Sequence, residues 1–562
     1  MRTHTGPIGW TCLIASALLV QNVRSEPRTG GAKASAERTV LLQIKDYATV
    51  PMTGSTTGTN NAGSLARVNM LREEPGGAGR FFVNDLNGPL YILDKQTRTF
   101  HVYLDFNGRD SRPGLFDKLT FEAGYANGLI SFQFDPDYRR NGKCYTIHLE
   151  DPAAPGSVLP DGTSVPGLNL SGYTTTPPIK TPGAIEREAV VIEWTDSNVS
   201  NTTFEGTARE LMRVQLNTRI HPMGDLIFNP TARAGDRDWR VLYIACGDGG
   251  AGERRTAMRQ NPQRLDTLVG KILRVIPDLA LHTETSTVSE NGRYRIPRDN
   301  PLAAVNGARK EIWAYGLRNP HRLTWDVDPA NRANSHLLAA NIGLHTWETV
   351  DVIRKGANYG YSEREGNQML LGPDNTMASL PTPDEIPVRI TDTITNGTVV
   401  PTYPVIQYPH TAAGGDAIAG GFVYRGKALP ALQGKYIFGD ISTGKIWYAD
   451  YKEMLAADDG NPATMAALHE VHLRWNAPGE AAEAGGREYA TAFPIVLAAY
   501  KARGGTDPDL PGSSTVSGPG RADIRFAVDS AGELYILSKV DGMIRAAVAA
   551  TASPLSRTGL RD

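Results

Sequence analysis

Glu311-Ile-Trp-Ala-Tyr-Gly316-Leu-Arg318-Asn319-Pro320-His-Arg-Leu-Thr-Trp-Asp326 is the stretch around which the chain is organised. Ile312, Ala314 and Gly316 alternate with Trp313 and Tyr315, the period of a strand. The pattern breaks at Gly316 and again at Pro320, and a second strand is expected from Leu323. Between them, Arg318-Asn319-Pro320 makes a cationic and amide corner stiffened by proline. Such a corner suits a polyanionic ligand, and it suits equally a plain strand-turn-strand with an arginine on its rim.

Outward from this stretch the chain repeats one kind of segment, an apolar run bounded by Gly, Pro, Asn or Asp. Examples are Arg80-Phe-Phe-Val-Asn, Thr99-Phe-His-Val-Tyr-Leu, Lys143-Cys-Tyr-Thr-Ile-His-Leu, Ala189-Val-Val-Ile-Glu-Trp and Lys445-Ile-Trp-Tyr-Ala-Asp. They are rich in the β-branched and aromatic residues that suit a pleated, half-buried surface. Helical periodicity is confined to Tyr451–Ala457 and Pro494–Arg503, the second opening on a proline that a first helical turn tolerates. Many short strands with few helices predict an all-β sandwich, barrel or propeller. The phrase Leu-Tyr-Ile recurs at Leu90, Leu242 and Leu534, with a related Tyr436-Ile, and a hairpin unit repeated along a long chain favours the propeller. One β-propeller domain is expected over 38–550, with insertions at about 151–187, 367–400 and 456–520 and a tail over 551–562. Long loops of this kind carry function or disorder.

The 562 residues are 40% hydrophobic and 21% charged, with a formal net charge of −2. Near-neutral charge gives no support for a nucleic-acid partner or an anionic membrane. The 58 glycines and 37 prolines are spread between apolar runs, which fits a loop-rich β protein rather than a disordered one. Residues 1–25 read as an export signal, with Arg2, an apolar core from Ile8 to Val20, and small residues before Glu26; 26–37 read as a flexible lead-in. No run approaches the roughly 20 apolar residues of a membrane span. The mature protein is therefore expected to be secreted or periplasmic. Of the 3 cysteines, Cys12 lies in the signal, and Cys144 and Cys246 are either bonded or two buried thiols.

Blocks with chemical content follow one another. His221 stands just before the strand-like Met223-Gly-Asp-Leu-Ile-Phe, as a general base or as a turn histidine. Leu242-Tyr-Ile-Ala-Cys-Gly247-Asp-Gly-Gly250 ends a strand in a glycine-rich acidic corner, which without Gly-Lys-Ser/Thr is not a phosphate loop. Asn341-Ile-Gly343-Leu344-His345-Thr-Trp347 brings backbone carbonyls to where a hard cation accepts them, or forms a hairpin. Arg425 and Lys445 sit at strand-turn junctions and, with Arg318, would surround a multi-carboxylate ligand unless simply solvated.

Taken in order, these blocks resemble the glucose/sorbosone dehydrogenase family, the soluble quinoprotein sugar dehydrogenases. The resemblance begins at Asn127-Gly-Leu-Ile-Ser-Phe-Gln-Phe-Asp-Pro-Asp-Tyr and runs to Asp523-Ile-Arg-Phe-Ala-Val-Asp, and the Tyr315-Gly-Leu-Arg-Asn-Pro block is among its most specific parts. It implies a six-bladed β-propeller that holds pyrroloquinoline quinone (PQQ) with calcium. It also implies oxidation of the C1 hydroxyl of an aldose to a lactone, with electrons leaving to an external acceptor. By position, His221 is implied as general base, and Arg318 and Asn319 as the pair lying against the cofactor. Arg425 and Lys445 are implied as further basic contacts, and the carbonyls of Gly343 and Leu344 as calcium ligands. The sequence departs from the family pattern at Ala126, Ser131, Asp135, Ile220, Asn341 and His345. Two other readings stand beside this one: a non-catalytic propeller binding glycans or proteins, and a calcium-dependent lactonase.

Overall fold

Alternating apolar runs cut by turn residues can bury one face only by pairing, and the chain does so as an all-β assembly of short, mostly antiparallel strands. A computed structural model describes residues 38–554 apart from 58–62, 78, 121–126, 255, 373 and 478–485. The expected export signal, the lead-in, Ala126 and residues 555–562 lie outside the described residues.

Strands adjacent in sequence pair with one another. Val68–Glu73, Arg80–Asp85, Pro89–Asp94 and Phe100–Asp105 form one sheet. Leu129–Phe134, Lys143–Glu150, Arg187–Asp196 and Glu205–Leu216 form the next, with Gly167–Asn169 on its edge. Met223–Phe228, Leu242–Cys246, Lys271–Val275 and Ile312–Tyr315 follow, then Asn319–Asp326, His336–Ile342, Trp347–Val352 and Ile406–Pro409. Ile418–Val423, Lys435–Asp440, Ile446–Asp450 and His469–Trp475 come next. Ile524–Val528, Leu534–Ser538 and Met543–Pro554 close the order, completed by the N-terminal strand Arg38–Thr49. That strand also pairs in parallel with His469–Trp475, Val40 opposite Val471, so the last two groups share one continuous sheet.

Separate hydrophobic clusters fill the spaces between consecutive sheets. Phe82, Phe132 and Trp194 fill one, Ile147, Leu226 and Ile244 the next, and Tyr243, Leu323 and Leu337 a third. Leu338, Phe438 and Trp447, then Leu42, Ile437 and Ile536, fill two more. Val68, Phe81 and Leu537 join the last sheet to the first. The leading strand of each sheet lies beside the leading strand of the next. These strands are held in step by side chains: Ser131 Oγ donates to Asp225 at 3.1 Å, and Asp225 accepts from the Leu323 N–H at 3.1 Å.

In the organising stretch the second strand starts at Asn319, earlier than the expected Leu323. Pro320 is tolerated there because the register shifts between Asn319 and Arg322, so its missing N–H interrupts no ladder bond. Helices occupy Tyr451–Ala457, capped by Asp450 on the Lys452 N–H, and Phe493–Ala502. The region read as an insertion at 456–520 contributes framework, because His469–Trp475 is a sheet strand with Leu473 and Trp475 in the core. Cys144 and Cys246 are free thiols in different hydrophobic clusters. Among the described residues no helix is long and apolar enough to cross a membrane.

Candidate active site

His221 precedes the strand Met223–Phe228 and adopts φ +52°, a left-handed conformation costly for a residue with a Cβ. The neighbouring corner after Leu242–Cys246 holds it there. The Gly247 N–H donates to the Pro222 carbonyl and the Gly249 N–H to the His221 carbonyl, both at 3.0 Å. A Cβ on residue 247 would fall 2.5 Å from the His221 carbonyl oxygen, so only glycine permits this approach.

The acidic residue of that corner completes the pair. Asp248 Oδ1 lies 2.7 Å from His221 Nδ1. Asp248 is fully buried and also accepts from the N–H groups of Gly250 (2.8 Å) and Gly252 (2.9 Å). Burial opposes its charge, but the His221 and Arg318 side chains and these donors outweigh it and hold the carboxyl below its ordinary range. An ionised acceptor on Nδ1 selects the tautomer with the proton on that nitrogen and leaves the Nε2 lone pair for a ligand. Among the described residues Nε2 has no hydrogen bond.

Arg318 is joined to this pair through the backbone, its carbonyl accepting from the Asp248 N–H at 2.7 Å. Its buried guanidinium pairs with Glu253 through Nη2 and donates through Nη1 to the carbonyls of Gly343 and Ile342. Burial works against the Arg318 cation, and Glu253, helped by Tyr361 and Asp248, more than restores it. Nε is buried without a partner, as are the neighbouring Asn319 Oδ1 and Tyr361 Oη. A Cβ on Gly252 would sit 1.7 Å from Tyr361 Oη, so the tyrosine is seated directly against the acidic corner.

The turn at Gly343 differs from its expected role. Glu365 Oε1 accepts from the N–H groups of Leu344, His345, Thr346 and Trp347, at 2.8, 2.9, 2.8 and 3.1 Å. The Gly343 N–H is bound by Glu348 at 3.1 Å, and its carbonyl is taken by Arg318. A calcium ion on that carbonyl would face the guanidinium at contact distance, so the turn as built does not fit the cation. Among the described residues no cluster of His, Cys, Asp and Glu has metal-holding geometry either.

The expected basic ring is not assembled. Arg425 forms a two-point ion pair with Asp326, at 2.9 and 2.8 Å. Asp326 ends the strand that Asn319 begins, and seven residues of strand rise put it roughly 23 Å from the Arg318 corner. Lys445 stays on the nearer side, in the turn after Asp440, but its Nζ is held by the carbonyls of Ala412 (2.9 Å) and Ala413. Of the cations read from sequence, the structure brings only Arg318 to His221.

Asp248, Glu253, Tyr361 and Glu365 are site residues the sequence reading did not assign. The Gly247-Asp-Gly-Gly250 corner was visible, but nothing in the spacing ties it to a histidine 27 positions earlier. Departures from the family pattern have local employment: Ser131 supports Asp225, Asp135 accepts from Arg240 at 2.8 Å, and Asn341 accepts from the Asn319 N–H at 3.0 Å.

Comparison with known proteins agrees with this layout at the level of family. The Glucose / Sorbosone dehydrogenase family matches residues 79–467, and the chain belongs to that family. It is 27% identical to the HIPL1 protein of Arabidopsis thaliana over 400 residues, 68% of this chain and 52% of that protein. It is 24% identical to the Hedgehog-interacting protein of Homo sapiens over 375 residues, 65% of this chain and 39% of that protein. The chain thus spans about half or less of the length of these curated relatives. The solved structure of the soluble aldose sugar dehydrogenase from Escherichia coli in the apo-form superposes with TM-score 0.50 at 16% identity, covering 92% of this chain and all of that one, and shares the fold.

Proposed function

We propose that the chain is a six-bladed β-propeller whose His221 face is an oxidoreductase site for a hydroxyl-bearing carbohydrate, working outside the cytoplasm and passing electrons to an external acceptor. The observation that carries this reading is the His221–Asp248 pair, with Nδ1 fixed and Nε2 without a hydrogen bond among the described residues. The six-bladed reading is supported by the leading strands, neighbours in cyclic order with a core between each pair of sheets.

The site residues fit PQQ better than they fit calcium. Arg318 Nε and Asn319 Oδ1 are buried polar atoms without partners next to the base, and groups in that state are ordinarily satisfied by something. Arg318 Nε would donate to an oxygen of the quinone, and Asn319 Oδ1 would accept from a ligand N–H or O–H. Bound PQQ would supply a two-electron acceptor. His221 Nε2 takes the hydroxyl proton, and Asp248 steadies the imidazolium that results. Arg318, kept charged by Glu253, places fixed positive charge beside the reacting centre. Calcium has no part in this account.

A second reading, a ligand-binding propeller without turnover, is favoured by one observation. Arg318 is already closed on Glu253 and on the turn carbonyls. The name of the Hedgehog-interacting relative points the same way, toward protein partners. Aldose-dependent reduction of a dye by PQQ-loaded protein separates the two. Turnover is expected in the wild type, with a loss of about 10²–10⁴-fold in His221→Ala, the usual worth of a general base. Absence of turnover with any aldose at saturating PQQ would leave the binding reading.

A further inference from the structure

At the other end of the leading strands from His221 lies a cavity of about 490 Å³. It lies within the roughly 300–1,000 Å³ of small-molecule sites. Every leading strand contributes to its wall, through residues such as Leu71, Phe134, Ile227, Leu323, Phe422 and Phe526. The loops after those strands add Trp239 and the rim residues Ala232 and Ser530. Its floor is a polar layer. Arg322 donates to the side chain and carbonyl of Asn69 at 3.0 and 3.1 Å, and Asp225 is bound by Arg72 at 2.7 Å.

The polar groups in the wall are unequal in their needs. The carboxylates are supplied with donors. Asp225 has Arg72, Ser131 and the Leu226 and Leu323 N–H groups, and Glu73 has Lys95 and the Ser530 N–H, both at 2.8 Å. Asp135 has Arg240, and Asp529 has the N–H groups of Ala531 and Glu533. Arg72 is different: the hydrogen bonds it makes among the described residues all run through Nη2, and its side chain remains 19% exposed in the cavity wall. An apolar, aromatic-lined chamber whose carboxylates are already paired and whose Arg72 guanidinium has donors to spare selects a ligand with a flat apolar body and an anionic head.

We propose that this cavity is a second ligand site, independent of the His221 chemistry, for a small aromatic molecule bearing a carboxylate or sulfonate directed at Arg72. The probe is 1-anilinonaphthalene-8-sulfonate, titrated by fluorescence into the whole folded chain, with uncharged N-phenyl-1-naphthylamine as its control. One saturable site per chain is expected. The control should bind at least about tenfold more weakly, the scale of one lost charge-assisted hydrogen bond. Ala232→Trp, at the rim and outside the core, should abolish binding by filling the mouth. Arg72→Gln should erase the preference for the sulfonate, and His221→Ala should change nothing. Absence of saturable binding, or affinity unchanged in Ala232→Trp, would overturn the site. Equal binding of the charged and uncharged probes would overturn the assignment of its ligand class.

Discussion

His221 and Asp248 show how a reactive pair is built from backbone constraints before side-chain chemistry begins. Gly247 lets the corner approach, the left-handed φ turns the imidazole, and the Gly250 and Gly252 N–H groups fix the carboxylate. Asp248→Asn keeps the shape but lets the imidazole take the other tautomer, so turnover should fall by about 10²–10⁴-fold with little change in KM, read in steady-state kinetics. Gly247→Val should be worse for the fold, because its Cβ meets the His221 carbonyl. Its midpoint in urea should fall by the equivalent of about 1–3 kcal/mol. At this scale the sequence was legible for the placement of His221, Arg318 and Asn319 at strand starts. It was not legible for the partners, because hydrogen bonds between the far ends of a hairpin, such as His221 to Asp248, leave no mark in local spacing. Arg425 shows the converse: a strand junction looks the same at either end of a sheet, and this one faces Asp326.

At the scale of single elements, the Gly343–Trp347 turn is organised by Glu365, whose one oxygen gathers the N–H groups of Leu344 to Trp347. Since a carboxylate, not a cation, organises this turn, calcium or a chelator should leave the unfolding temperature of the apo-protein unchanged. A rise of several degrees with calcium would contradict this. Another buried network governs acid stability. Glu150 accepts from His148 at 3.0 Å and from Arg213, which also binds Glu188 and Glu210. Burial opposes its ionisation, yet His148 and Arg213 together lower its pKa from 4.5 to about 2. A depressed folded-state value means stability that is present above pH 4.5 and lost as pH falls toward 2. Between pH 5 and pH 3 this one group should cost about 2 kcal/mol in urea unfolding, and Glu150→Gln should flatten that slope. Strands and the two longer helices were readable from composition and period. The early start at Asn319 was not, because a bulge hid the proline's cost.

Across the whole molecule, closure depends on the strand Arg38–Thr49, which pairs with Met543–Pro554 on one side and His469–Trp475 on the other. Val40, Leu42 and Ile44 are buried. Three such side chains are worth roughly 5–9 kcal/mol, comparable to the whole stability of a domain. A chain beginning at residue 50 should therefore lose cooperative thermal unfolding, while one beginning at residue 38 keeps it. Propeller-like order was legible in the recurring Leu-Tyr-Ile hairpins. The union of the two ends of the chain was not, because nothing local links residue 40 to residue 552.

The central claim is that the Arg318–Asn319 corner beside His221 holds a quinone. Titration of the folded chain with PQQ, followed by quinone absorbance and unfolding temperature, tests it directly. The account predicts saturable binding that raises the unfolding temperature, does not need calcium, and is retained in His221→Ala. No change in absorbance or unfolding temperature at any PQQ concentration would contradict it.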